Sequence, residues 1–116
     1  MMRYTRLLAI GLSLMATVAF AHTQLSSSMP ADQATVTAAP DKLELAFSEA
    51  VRLTALSLED SAGKGYELGA LPTTTQREFA LSMPALPAGS YSVGWRAVGA
   101  DAHVVSGEIH FSVAAH

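Results

Sequence analysis

Cysteine is absent from all 116 residues. No disulfide can staple the fold, and no thiolate is available as a metal ligand or nucleophile. The chain must hold together by packing alone. Aromatic residues make up 7% and include a single tryptophan, Trp95. That leaves little material for an exposed aromatic platform. Basic residues are also scarce, with seven Lys and Arg against ten Asp and Glu. An acidic surplus argues against nucleic acid or anionic lipid as the partner. No long segment has helical period, and no internal repeat or separate linker appears.

One apolar run stands out, at the N-terminus. Met1–Arg6 carries Arg3 and Arg6, and Leu7–Phe20 follows, apolar except for Ser13 and Thr17. The run ends in Ala19-Phe20-Ala21, a small-x-small cleavage pattern. It is about fourteen residues long, short of the roughly 20 that a membrane span needs. These features predict a signal peptide over 1–21, cleaved on export, rather than an uncleaved anchor. The remaining domain, 22–116, would begin with His22 and carry a formal charge of −5. A chain of that size is one small domain with one core.

The rest of the sequence reads as short strands separated by turn residues. Leu43, Leu45 and Phe47 alternate with polar neighbours; so do Phe79, Leu81 and Met83, then Tyr91, Val93, Trp95 and Ala97, then Ile109, Phe111 and Val113. Leu53–Glu59 is a further strand with Leu56 and Leu58 inward, and Thr35–Thr37 and Tyr66–Leu68 are short ones. Ala31-Asp32-Gln33, Ala38–Asp41, Ser61–Gly65 and Pro87-Ala88-Gly89 read as turns. About seven strands at this spacing predict an all-β, antiparallel β-sandwich of immunoglobulin-like or cupredoxin-like build.

Between the last two strands lies Asp101-Ala102-His103. In an extended chain, residues two apart point to the same side, so a carboxylate and an imidazole could meet one metal ion. Two ligands make a poor site. A cleaved His22 would add two nitrogens at one position, the freed α-amino group and the ring. Its amine, with an ordinary pKa of about 7.7–8.0, loses its proton readily enough near neutral pH. Three nitrogens and one oxygen without sulfur suit Cu(II), and are too rich in nitrogen for Mg²⁺ or Ca²⁺. Plainer readings stand beside this one. A terminal His is usually mobile. Asp101 can be a turn residue bonding its own backbone, and His103 a surface histidine.

The chain resembles the CopC family of periplasmic copper-resistance proteins. The likeness rests on the leader ending before His22, on Leu25-x-x-Ser28-x-Pro30-Ala31-Asp32, and on Leu43-x-Leu45-x-Phe47-Ser48-Glu49-x-Val51. Most specific is Tyr91-x-Val93-x-Trp95-Arg96-x-Val98-x-Ala100-Asp101-x-His103-x-Val105-Ser106-Gly107. The resemblance implies a Greek-key β-sandwich that binds one Cu(II) per chain through His22, Asp101 and His103. It also implies a periplasmic monomer that sequesters or delivers copper without catalysing a reaction. Its partner would be a CopD-like copper transporter of the inner membrane. Ala102 and Gln33 depart from the pattern, standing where the family commonly has Gly. Ala50 replaces a usual Pro. Some members carry a Met-rich Cu(I) site; after cleavage only Met29 and Met83 remain here, so that site is not expected.

Two rival classes remain. A terminal His with a second His also resembles the copper brace of polysaccharide monooxygenases. Such enzymes need an open copper face on a flat surface, whereas Trp95 and Phe111 read as core and Asp101 would occupy a fourth position. A metal-free immunoglobulin-like adhesion module is the other, and predicts copper binding that ignores His22. Of the remaining residues, Ser106 is a candidate hydrogen-bond partner of Asp101. Arg96 is a candidate partner for an acid, and Glu49 for a turn. His110 alternates with core residues and belongs to the solvated face, and His116 ends the chain.

Overall fold

A computed structural model describes residues 23–115. The segment read as a signal peptide, together with His22 and His116, lies outside the described residues. Seven strands form: β1 (Leu25–Met29), β2 (Ala34–Val36), β3 (Lys42–Asp60), β4 (Gly65–Tyr66), β5 (Gln76–Ser82), β6 (Gly89–Gly99) and β7 (Val104–Val113). No helix occurs among the described residues.

The two strands expected over Leu43–Ser48 and Leu53–Glu59 are one strand of 19 residues. The first half of β3 pairs with β1 on one side and β5 on the other. Its second half pairs with β6 and β4. β7 and then β2 extend that second layer. β3 thus belongs to both layers of a β-sandwich, and the chain passes between layers from β1 to β2, from β2 to the start of β3, from β4 to β5 and from β5 to β6, a Greek-key pattern. One pairing departs from the antiparallel expectation: β2 runs parallel to β7, with Ala34 opposite Phe111. β2 reaches the far edge of the second layer from β1 through a turn, not through a hairpin with β7.

A single bulge explains the burial pattern of β3. Leu43, Leu45, Phe47, Val51 and Leu53 are buried at odd positions, yet Leu58 is buried at an even one. Leu53 faces Ala97 but Ala55 already faces Arg96, so Thr54 is the extra residue. It shifts the inward set by one, which puts Leu56 and Leu58 over the core opposite Trp95 and Val93. Without it both leucines would face water.

The core is apolar throughout, and no polar or charged residue is buried among the described residues. Phe47 joins the layers, with its ring edge-on to Phe79 at 5.8 Å and to Trp95 at 5.2 Å. Trp95 fits because Gly107 crosses its ring; a Cβ there would come within 2.8 Å of the indole. Burying a side chain of this class contributes about 1.5–3 kcal/mol, which is how a chain without disulfides holds its shape. Met83, in line with its place in the alternation, packs against the core, and Met29 is exposed.

Candidate metal centre

β6 ends at Gly99 and β7 begins at Val104. The four residues between them form a closed turn. Ala102 N–H donates to Gly99 O, and Gly99 N–H donates to His103 O, both at 3.0 Å. Ala102 adopts φ +65°, a left-handed conformation that glycine takes without steric penalty. The local chain is therefore not extended, as the same-side argument had supposed. The turn still brings the pair together. Asp101 Oδ2 lies 2.8 Å from His103 Nδ1. Asp101 Oδ1 accepts the His103 backbone N–H at 3.1 Å. The carboxylate is thus both a turn residue and a partner of the imidazole.

Both side chains are open to solvent, with 61% of Asp101 and 83% of His103 exposed. The His103 backbone N–H is the main cause of a lowered Asp101 pKa; desolvation opposes it, and the His103 side chain lowers it further. Asp101 therefore stays an anion, and a potential oxygen ligand, to lower pH than an ordinary aspartate.

The start of the described chain lies beside this turn. Leu25 sits opposite Phe47 and Gly99 opposite Val51, so β1 gives way to β6 along β3 between Phe47 and Val51. Gln24 and Ser48 bracket that junction: Gln24 N–H donates to Ser48 Oγ at 3.0 Å, and Ser48 N–H to Gln24 O at 2.8 Å. Thr23 Oγ1 donates to Glu49 Oε2 at 3.1 Å. A Cβ on Gly99 would lie 3.0 Å from Asp101 Oδ1 and 3.2 Å from Thr23 Oγ1, so both oxygens converge on the bare face of that glycine. Thr23 is the residue that follows His22.

The sequence offered Glu49 only as a partner for a turn; Thr23, and the hydrogen bond it donates to Glu49 at this junction, went unread. One signal was available: Glu49 occupies an odd position between inward Phe47 and Val51, where a carboxylate cannot enter an apolar core. Ser106 pairs with Arg96 in the ladder and makes no side-chain hydrogen bond to Asp101 among the described residues. Arg96 is exposed and forms no ion pair among them. His110 lies on the outer face of β7, as expected, opposite Ser92. Asp101 and His103 are a pair only; no three His, Cys, Asp or Glu among the described residues are grouped to hold a metal. A third protein donor would have to come from beyond residues 23–115.

Comparison with known proteins points one way. The model of the CopC domain matches residues 25–114. A copper resistance protein C of Escherichia coli is 35% identical over 107 residues, covering 82% of this chain and 83% of that protein. The copper resistance protein C of Pseudomonas syringae pv. tomato is 34% identical, over 95% of this chain and 94% of its own. Among solved structures, CopC from Methylosinus trichosporium OB3b superposes with a TM-score of 0.71 at 31% identity, covering 82% of this chain and 96% of that one. PcoC, a methionine-rich copper resistance protein from Escherichia coli, gives a TM-score of 0.65 at 33% identity, covering 80% and 99% respectively.

Proposed function

This chain belongs to the CopC family, and we propose that it binds one Cu(II) in the periplasm and sequesters or delivers it for copper resistance. The leader over 1–21 is removed, and the family match begins downstream of it at residue 25. His22 then supplies its amine and its imidazole, and Asp101 and His103 supply an oxygen and a nitrogen. The carrying observation is the position of Thr23: the residue that follows His22 in sequence sits against Gly99, within reach of the Asp101–His103 pair.

The donor chemistry agrees. Three nitrogens and a carboxylate favour Cu(II) among the common divalent ions. Two ligands at right angles on bonds of about 2.0 Å stand about 2.8 Å apart, and the Asp101–His103 separation is 2.8 Å. The same spacing serves a hydrogen bond when no metal is present. Copper is cargo here, and no reaction is required of the protein. An oxidative enzyme would need an accessible aromatic surface, whereas Trp95 and Phe111 are 8% and 2% exposed. The partner is a copper transporter of the inner membrane, CopD-like, as the family resemblance implies.

The test is a Cu(II) titration followed by EPR, on one form that begins at His22 and another with a single Ala placed before it. The first binds one equivalent with a tetragonal, nitrogen-rich signal. The second keeps the imidazole but moves the amine away, and binds far more weakly. Equal binding by the two forms would remove His22 from the site and the proposal with it.

A further inference from the structure

We propose that Thr23 is a positioning residue of the copper site, its hydroxyl tying the start of the chain in place before the ion arrives. This role rests on the copper reading above and concerns how that site is prepared. A chain terminus is ordinarily mobile. Here the two residues before β1 are tied down. Gln24 N–H donates to Ser48 Oγ at 3.0 Å, and Gln24 O accepts from Ser48 N–H at 2.8 Å. Thr23 then anchors through its side chain, with Oγ1 donating to Glu49 Oε2 at 3.1 Å.

The anchor has a direction. Along β3, Phe47 pairs with β1 and Val51 with β6, and Glu49 stands midway between them. Thr23 reaches Glu49 from the β1 side. Its Oγ1 also lies against the bare face of Gly99, the last residue of β6. Asp101 Oδ1 meets the same face, and both oxygens come within 3.2 Å of one point, the place of the missing Cβ. Consecutive Cα atoms are about 3.8 Å apart, so fixing Thr23 limits where the amine and ring of His22 can stand. Without the anchor, that order would have to be imposed when copper binds. Ordering the backbone of one residue lowers affinity by about 5–30-fold.

The contact does little for the fold. Glu49 is exposed and Thr23 half-buried, and neither belongs to the apolar core. Water can take over an exposed hydrogen bond with little net change in stability.

The experiment measures Cu(II) affinity by competition with a chelator, on the chain beginning at His22 and on its Thr23→Val and Thr23→Ser variants. The parent and Thr23→Val are measured again with a single Ala placed before His22. Valine keeps the shape of threonine and removes the hydroxyl; serine keeps the hydroxyl. Thr23→Val should bind about threefold or more weakly, toward the lower end of what one hydrogen bond is worth, and Thr23→Ser should match the parent. The two Ala-preceded forms should bind alike, because no terminal chelate is left to position. Metal-free urea midpoints should agree throughout, which separates positioning from folding. A smaller loss, a serine that does not rescue, an equal loss in the Ala-preceded pair or a lowered metal-free midpoint would overturn the role of Thr23 and leave the copper site standing. Equal affinity of the parent with and without the added Ala would instead remove His22 from the site, and the role of Thr23 with it.

Discussion

Gly99 is where a single methyl group would separate folding from metal binding. Its added Cβ would press on Asp101 Oδ1 at 3.0 Å and Thr23 Oγ1 at 3.2 Å. Both atoms end short side chains, that of Asp101 exposed and that of Thr23 half-buried, and can swing aside at little expense to the fold. A metal site tolerates less, because ligand positions must hold to within about 0.2 Å. Gly99→Ala should therefore unfold close to the parent midpoint in urea yet bind Cu(II) at least about tenfold more weakly. Unchanged affinity would detach Gly99 and Thr23 from the site. Ala102 carries the opposite load. At φ +65° its methyl group crowds the backbone. A left-handed L-residue costs about 1–2 kcal/mol, and glycine returns part of that as unfolded-state entropy, about 0.4–1 kcal/mol. Ala102→Gly should raise the unfolding free energy by about 0.5–1 kcal/mol, measured by urea denaturation. Gln33, at φ +67°, is the second such residue. Both had stood out in the sequence as departures from glycine, and the backbone conformation gives the physical meaning of that departure.

At the scale of elements, the strands with strict alternation were legible and the junctions were not. Tyr91, Val93, Trp95 and Ala97 are buried in turn because period 2 puts them all on one face of β6. β3 hid its continuity. A charge at Glu49 and a bulge at Thr54 each interrupt the alternation, and an interruption looks like a turn when register is unknown. The parallel β2–β7 pairing was illegible for another reason: it joins residues over seventy positions apart, and nothing local encodes it. The turn after β3 is local and was read correctly. Asp60 holds it, its Oδ1 accepting N–H from Ala62 and Lys64 at 2.9 Å each, with Tyr66 Oη donating to Oδ2 at 3.3 Å. The Lys64 N–H is the largest cause of a lowered Asp60 pKa. A carboxylate whose folded pKa lies below the unfolded one stabilises the fold fully above the ordinary aspartate value of about 3.9, and loses that effect as pH falls through its own lower value. An NMR titration should show Asp60 with a midpoint below 3.9, and the Ala62 and Lys64 amide shifts should move with it. A midpoint at or above the ordinary value would mean that these hydrogen bonds do not persist in solution.

For the molecule as a whole, the absence of cysteine and the proposed copper site bear on one another. β1 lies in the first layer of the sandwich, and the β6–β7 turn in the second. A metal held by His22, just upstream of β1, and by Asp101 and His103 in that turn would cross-link the two layers near the bend of β3. It would do for this fold what a disulfide does elsewhere, but reversibly. Ligand that binds only the folded chain stabilises it by RT ln(1 + [L]/Kd), about 2.7 kcal/mol when free ligand is a hundredfold above Kd. The thermal midpoint of the chain beginning at His22 should therefore climb steadily with free Cu(II). Placing one Ala before His22 should flatten that dependence, and so should His103→Ala, while leaving the metal-free midpoint where it was, since both changes fall on solvent-exposed or terminal positions. The pair of controls separates two meanings of a rise. If the midpoint climbs equally in all three forms, copper is acting elsewhere on the surface and the layers are not joined. If it climbs only where the amine and the imidazole of His103 are both available, the terminal segment and the hairpin are held by one ion, and copper loading and closure of the sandwich are the same event.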